Sequence, residues 1–248
     1  MPKKMQYHPQ SIFFPLHFNT SSKLHLSRRL MYKMPPIPSS ITTHIPYNPA
    51  AIEIIATRPE KKIEIVEPDP TWPGQYTVLE SRIKSAFSLS HSEGASPLLY
   101  IQHVGSTSVP TLPAKATIDI DIVVRDPTDE KSYVPLLEAA GFRFLFREKT
   151  WHEHRFFYCE EPYANIHLFG EDSPEVVRHR LFRDWLRDPA HEGDRDLYAE
   201  MKRKAARESR EAGETMMEYN DRKEPVIREI LRKVYEAHAL LGDSTEGS

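Results

Sequence analysis

The chain of 248 residues contains one cysteine, Cys159. That number rules out an intramolecular disulfide and a multi-cysteine zinc site, and it fits a reducing compartment better than secretion. No stretch approaches the roughly 18 consecutive apolar residues that a membrane-spanning helix needs. The formal charge of -3 provides no overall field to attract nucleic acid. Acid is missing from one region only. Residues 1–52 hold six lysines and arginines and no Asp or Glu, whereas residues 53–248 hold 27 basic and 36 acidic residues. Twelve of the 21 prolines lie at or before Pro73, and proline removes backbone donors and interrupts helices. The expectation is a leader without regular structure over 1–58, a domain over 59–240 and a short tail at 241–248. An inert extension, a mitochondrial transit segment built around Arg28-Arg29 and a binding tail all remain open for the leader, with the cytoplasm as the expected location otherwise.

Periodicity organises the chain beyond the leader. Lys61-Lys62-Ile63-Glu64-Ile65-Val66 alternates like an edge strand, and ordered structure is expected to begin near Ile63. Tyr76, Leu79, Ile83, Ala86 and Phe87 recur at helical spacing over 75–89. Strands are expected at 98–104, 117–124, 142–147, 153–159 and 165–169, with a helix at 129–140 before Gly141. From 174 onward the pattern is helical, through 194–212 and then 214–240, which Pro225 should kink or divide. The fold class is therefore α+β, a mixed sheet with flanking helices and a helical C-terminal third.

Chemistry concentrates in 103–124. Asp119 and Asp121 stand two apart in an otherwise apolar strand, so both carboxylates share one face about 7 Å apart by Cα. Two like charges on a half-buried surface repel and lose hydration. A hard divalent ion would offset this, as would capping or pairing with arginine. Upstream, Gly105-Ser106-Thr107-Ser108 ends a strand where backbone N–H groups and hydroxyls can cradle an anion.

The arrangement Val104-Gly105-Ser106, then Asp119-Ile120-Asp121-Ile122, resembles the signature of the nucleotidyltransferase superfamily. The fuller pattern is more similar to the GrpB-like (UPF0157) family, found alone or fused to a coenzyme A biosynthesis kinase. It comprises His103 to Pro110, Leu112, Ala114-Lys115, Ile118 to Asp121, Trp72, Arg155-Phe156-Phe157, Asn165 to Leu168, Phe182 to Arg187, Tyr198 with Lys202, and Tyr219 with Lys223. The resemblance spans roughly 60–240. It implies a nucleotidyltransferase-like fold in which Gly105, Ser106 and Ser108 hold phosphates and Asp119 and Asp121 hold Mg²⁺ or Mn²⁺. By their placement, Lys115 between the turn and the acidic pair and Arg155 on a neighbouring strand are the expected phosphate contacts. Active members of the superfamily carry a third acid where this chain has His167. His167 is thus expected to complete the metal shell, to act as a base, or to mark lost catalysis.

Other candidates carry structural alternatives. Glu160 and Glu161 could supply the missing acid but sit at a predicted hairpin turn. His152 and His154 could imitate a three-histidine zinc site with His167. Cys159 has no local partner for a nucleophile. Lys202, Arg203, Lys204 and Arg207 form a basic stripe interleaved with glutamates, expected to be a solvated face. The expected function is transfer of a nucleoside monophosphate from an NTP to an unidentified acceptor, at a site where Asp119, Asp121 and His167 are catalytic. The alternatives are a non-catalytic module that binds a nucleotide or phosphometabolite, and a protein-interaction accessory. Neither a membrane nor nucleic acid is an expected partner.

Overall fold

The computed structural model of the chain describes residues 37–241, apart from 47, 60 and 90–95. The transit-segment reading of the leader and the tail at 242–248 lie outside the described residues. Six strands form one mixed sheet: β1 (Ile52–Ile54), β2 (Leu98–Val104), β3 (Ile118–Val124), β4 (Arg143–Glu148), β5 (His154–Cys159) and β6 (Ala164–Gly170). Their order is β1-β4-β5-β6-β3-β2. The β3–β6 pair is parallel and every other neighbouring pair is antiparallel. Five α-helices accompany the sheet among the described residues: α1 (Trp72–Leu89), α2 (Val134–Ala139), α3 (Pro174–Arg187), α4 (Glu192–Ala212) and α5 (Met216–Ala237). No helix among the described residues is long and apolar enough to cross a membrane. The α+β class and the helical C-terminal third agree with the sequence pattern.

The sheet separates two environments because side chains alternate along a strand. Ile118, Ile120 and Ile122 of β3, with Ile166 and Leu168 of β6, face the core formed with Leu79, Ile83 and Phe87 of α1. Asp119 and Asp121 point the other way, as do Asn165 and His167, their register partners across β3 and β6. That second face lies under α3, whose Val176 packs on Val123 and Phe169.

Helices α3, α4 and α5 enclose a second apolar cluster containing Leu181, Tyr198, Ile230 and Val234. Local chemistry sets their ends. Gly213, in the left-handed region at φ 67°, terminates α4. A reciprocal capping box between Thr215 and Glu218 starts α5.

Four expectations are corrected. Ordered structure starts well before Ile63: within the expected leader, residues 39–42 form a 3₁₀ turn and Ile52–Ile54 pairs with β4. The reason is packing, since Ile41 is 1% exposed within the helical cluster and Arg178 Nη2 donates to its carbonyl at 2.7 Å. Residues 61–66 form no strand beyond a single bridge from Val66 to Ala114; Ile63 packs instead on Ala205, Ala206 and Tyr219. The helix expected over 129–140 is a 3₁₀ turn at Glu130–Ser132 followed by the short α2, because Pro135 fits only the first turn of a helix. Helix α5 runs undivided through Pro225, its downstream residues Val226, Ile230 and Val234 held by the helical core.

Candidate functional site

Between the polar face of the sheet and helices α3 to α5 lies a cavity of about 740 Å³, a size suited to a small-molecule ligand. Gly105, Ser106, Lys115, Asp119, Asn165, His167, His179, Lys202 and Lys223 are among the residues lining it. Gly105 ends β2 with φ 66° and leads into a single 3₁₀ turn over Ser106–Ser108, not a helix. The turn is fixed from within. Thr107 Oγ1 donates to the Thr117 carbonyl at 3.0 Å, tying it to the start of β3, and Ser108 Oγ donates to the Gly105 carbonyl at 2.6 Å. Ser106 Oγ faces α4, where it accepts from Lys202 Nζ at 2.9 Å.

The acidic pair is in place, and each carboxylate is already engaged. Asp119 Oδ1 accepts from Asn165 Nδ2 at 2.8 Å, and burial raises its pKa. Asp121 has no exposed surface: its Oδ2 accepts from Gln102 Nε2 at 2.9 Å, and both its oxygens lie 3.1 Å from His179 Nδ1. Burial opposes charging His179, but the Asp121 carboxylate outweighs it and holds the imidazole pKa above its usual value. His167 sits directly beside Asp121 in the β3–β6 register, where the superfamily pattern expects an acid. Its Nδ1 lies 3.1 Å from His154 Nε2, and His154 Nδ1 lies 2.6 Å from Glu148 Oε2. Burial keeps both rings neutral, lowering His154 to about 3 and His167 well below the usual imidazole range, while it raises Glu148 to about 6. A polar row therefore crosses the sheet from Glu148 through His154 and His167 to Asp121 and Gln102.

Positive charge arrives from three elements. Lys115, ahead of β3, lies over the Tyr219 ring at 5.2 Å. Lys202 of α4 is 2% exposed and bonds Ser106 Oγ and the Pro113 carbonyl. Lys223 of α5 lies 4.3 Å from the centre of the Tyr219 ring. Burial lowers the pKa of all three, with Lys115 adding to the effect on Lys223, which falls to about 7. Burying three ammonium groups around one cavity is costly, and nearby negative charge offsets that cost.

Of the residues expected here, Gly105, Ser106, Lys115, Asp119 and His167 line the cavity. Ser108 does not, because its hydroxyl closes the turn. Arg155 is on the wrong face: it pairs in register with Leu168, not with His167, and its guanidinium binds Glu130 and Glu153 on the opposite side of the sheet. Glu160 and Glu161 are exposed at the hairpin. His152 lies in the preceding turn beside Glu175, so His154 alone of that pair meets His167. Cys159 is buried against Arg82. In the basic stripe Arg203, Lys204 and Arg207 are exposed as expected, but Lys202 is not. His179 and Lys223 were missed as site residues. Lys202 shares the stripe of Tyr198, Ala205 and Ser209 at helical spacing, a signal that it faces inward.

The side chains as they stand are not arranged as a closed divalent-metal site. Among the described residues no group of three or more His, Cys, Asp and Glu is placed to hold a metal ion. His179 and Gln102 already occupy the oxygens of Asp121 that a metal would need.

Residues 62–233 match the family described as GrpB protein. A UPF0157 protein of Halalkalibacterium halodurans is 40% identical over 171 residues, covering 69% of this chain and 82% of that one. A UPF0157 protein of Pseudomonas aeruginosa is 34% identical over 185 residues, covering 72% and 70%. A dephospho-CoA kinase of Mycobacterium tuberculosis is 32% identical over 201 residues, which amount to 69% of this chain and 46% of the kinase. The crystal structure of conserved protein GrpB from Enterococcus faecalis shares the fold at 21% identity and a TM-score of 0.53, covering 69% of this chain and 99% of that one. The chain belongs to the GrpB (UPF0157) family.

Proposed function

We propose that the cavity binds the phosphate groups of a nucleotide or a related phosphorylated small molecule. The observation behind this reading is the convergence of Lys115, Lys202 and Lys223, from three separate elements, on the cavity that the Gly105-Ser106 turn lines. Lysines held in a half-dry site at lowered pKa are stabilised when an anion enters, and phosphate oxygens accept several such donors at once. The lysines, not a resident metal, supply the counter-charge.

A second reading is transfer of a nucleoside monophosphate from an NTP to an acceptor with a divalent ion. It is favoured by Asp119, Asp121 and His167 sharing one face in adjacent register positions. It requires Asp121 to release His179.

Thermal shift and calorimetric titration with ATP, GTP, CTP and UTP, each with Mg²⁺, Mn²⁺ or EDTA, followed by a pyrophosphate-release assay, separate the two. Nucleotide binding that persists in EDTA supports the lysine cradle. Pyrophosphate release only with metal supports the second reading, and no stabilisation by any nucleotide or by pyrophosphate defeats both.

A further inference from the structure

The row Glu148–His154–His167 crosses β4, β5 and β6 on the cavity side of the sheet, and its hydrogen bonds leave little freedom in where the protons lie. An imidazole nitrogen within 2.6 Å of a carboxylate donates to it, so His154 carries its proton on Nδ1 facing Glu148 Oε2. The other nitrogen of that neutral ring, Nε2, is then an acceptor. His167 Nδ1, 3.1 Å away, must be the donor, which places the proton of His167 on Nδ1. Its Nε2, on the far side of the ring, is left with a lone pair, and His167 stands on the cavity wall.

The rings are held mechanically as well. His154 is 3% exposed and stacks on Phe169 at 4.8 Å between ring centres, and Phe156 meets His167 edge-on at 5.1 Å. Packing on both sides resists rotation of either imidazole. A free histidine on a strand needs neither a buried carboxylate nor a second histidine behind it. This arrangement isolates one nitrogen and sets its protonation, on a residue that lines the same cavity as the lysines.

We propose that Glu148 and His154 are positioning residues that lock the proton of His167 onto Nδ1, so that Nε2 accepts the proton of a hydroxyl-bearing acceptor in the cavity. This rests on the phosphate-binding reading together with the nucleotidyl transfer of the second reading, and deepens them: it names the acceptor's chemical class, an alcohol or a sugar hydroxyl. As the acceptor oxygen bonds to the α-phosphorus of a nucleoside triphosphate, its proton passes to His167 Nε2. The bond from that phosphorus to the bridging oxygen breaks, and pyrophosphate leaves with the electron pair. Proton acceptance by a positioned imidazole is worth about 10²- to 10⁴-fold in rate when its pKa lies near the working pH; here burial opposes the imidazolium that forms and the Asp121 carboxylate favours it.

The first test needs no substrate. Full-length protein labelled with ¹⁵N-histidine is examined by long-range ¹H–¹⁵N correlation, with the His167 signals assigned by their loss in His167→Gln. The expected result is a neutral His167 protonated at Nδ1 and bare at Nε2, with His154 in the same tautomer. His154→Phe removes the acceptor and should bring His167 partly or wholly to the Nε2–H form. A wild-type His167 already protonated at Nε2 overturns the proposal, and this holds even if the variant does not fold. An unchanged tautomer in a folded His154→Phe overturns the positioning role.

The second test is pyrophosphate release from an NTP with a panel of alcohols and sugars. His167→Gln should lower kcat by at least about 100-fold and Glu148→Leu by a smaller factor, with KM for the nucleotide unchanged in both. Nucleotide binding without release for any hydroxyl compound sinks the base role and leaves the binding reading standing. The expected tautomer without nucleotide binding removes the binding reading instead.

Discussion

The carboxylate of Asp119 occupies the space that a side chain at position 105 would need. A Cβ built on Gly105 would lie 2.3 Å from Asp119 Oδ2, well inside van der Waals contact. The glycine at the strand end and the acid on the next strand are thus one feature, since the acid can lie beneath the turn only while position 105 has no side chain.

Gly105→Ala is therefore expected to cost more than conformation alone. Its φ of 66° imposes strain on any L side chain, as does the 67° of Gly213, where nothing lies within 4 Å of a built Cβ. Gly213→Ala measures the ordinary left-handed cost, ~1 kcal/mol, whereas Gly105 at ψ -173° lies in a region essentially reserved for glycine, so its substitution adds further backbone strain to the clash with Asp119. Urea unfolding should show Gly105→Ala losing at least ~1 kcal/mol more than Gly213→Ala, with nucleotide stabilisation lost in the first and kept in the second. Equal costs would mean that Asp119 yields freely and that its position under the turn has no consequence.

Lys223 is expected to make ligand binding depend on pH. Its pKa of about 7, set by burial and by Lys115, leaves it charged below that value and neutral above it. The affinity for pyrophosphate should fall as pH rises from 6 to 8.5, because a neutral amine offers a phosphate no charge. Lys223→Arg stays charged throughout and undergoes the same ligand titration, so the difference between the two curves isolates the lysine. Parallel curves would place Lys223 outside the binding site.

How far the sequence reveals this site varies residue by residue. The alternation in 118–124 places Asp119 and Asp121 on one face, and resemblance to the family sets His167 against them; β3 and β6 pair in that register. Arg155 is misassigned through parity. Phe156 aligns with His167, so the preceding residue has to point to the other side, but the antiparallel pairing that fixes this is set by tertiary contacts. His179 and Lys223 are out of reach for a different reason: they come from helices whose docking on the sheet leaves no local signature. Ile41 is hidden by its neighbourhood, since one apolar residue among prolines gives no period to read.

The segment before the matched family region contributes to stability. Ile41 is 1% exposed against the helical cluster, while Ile54 on the edge strand β1 is 69% exposed. Ile41→Ala should cost ~2–5 kcal/mol through lost burial and a cavity, and Ile54→Ala within about 0.5 kcal/mol. Deleting residues 1–58 should lower the melting temperature by several degrees, since it removes both Ile41 and the strand that pairs with β4. A truncated protein that melts with the parent would show that 37–58 adds nothing to the fold.

The interaction of His179 with Asp121 decides between lysines and metal as the source of counter-charge. With His179 Nδ1 3.1 Å from both Asp121 oxygens and Gln102 Nε2 2.9 Å from one of them, the carboxylate is satisfied without an ion. Nucleotide affinity in EDTA should accordingly stay within about two-fold of its value in Mg²⁺, a difference under ~0.5 kcal/mol. His179→Ala removes the competing donor and exposes an acidic pair whose repulsion a cation relieves, so this variant should gain thermal stabilisation from divalent ions. Mn²⁺ should act more strongly than Mg²⁺ if His167 joins the shell, because imidazole suits the softer ion. His167→Asp in the same background should reverse that order, since carboxylates are the preferred Mg²⁺ ligands. A wild-type protein that binds nucleotide only when Mg²⁺ or Mn²⁺ is present would reverse the assignment: His179 would then be a latch that ligand binding opens, and Asp119, Asp121 and His167 the metal site.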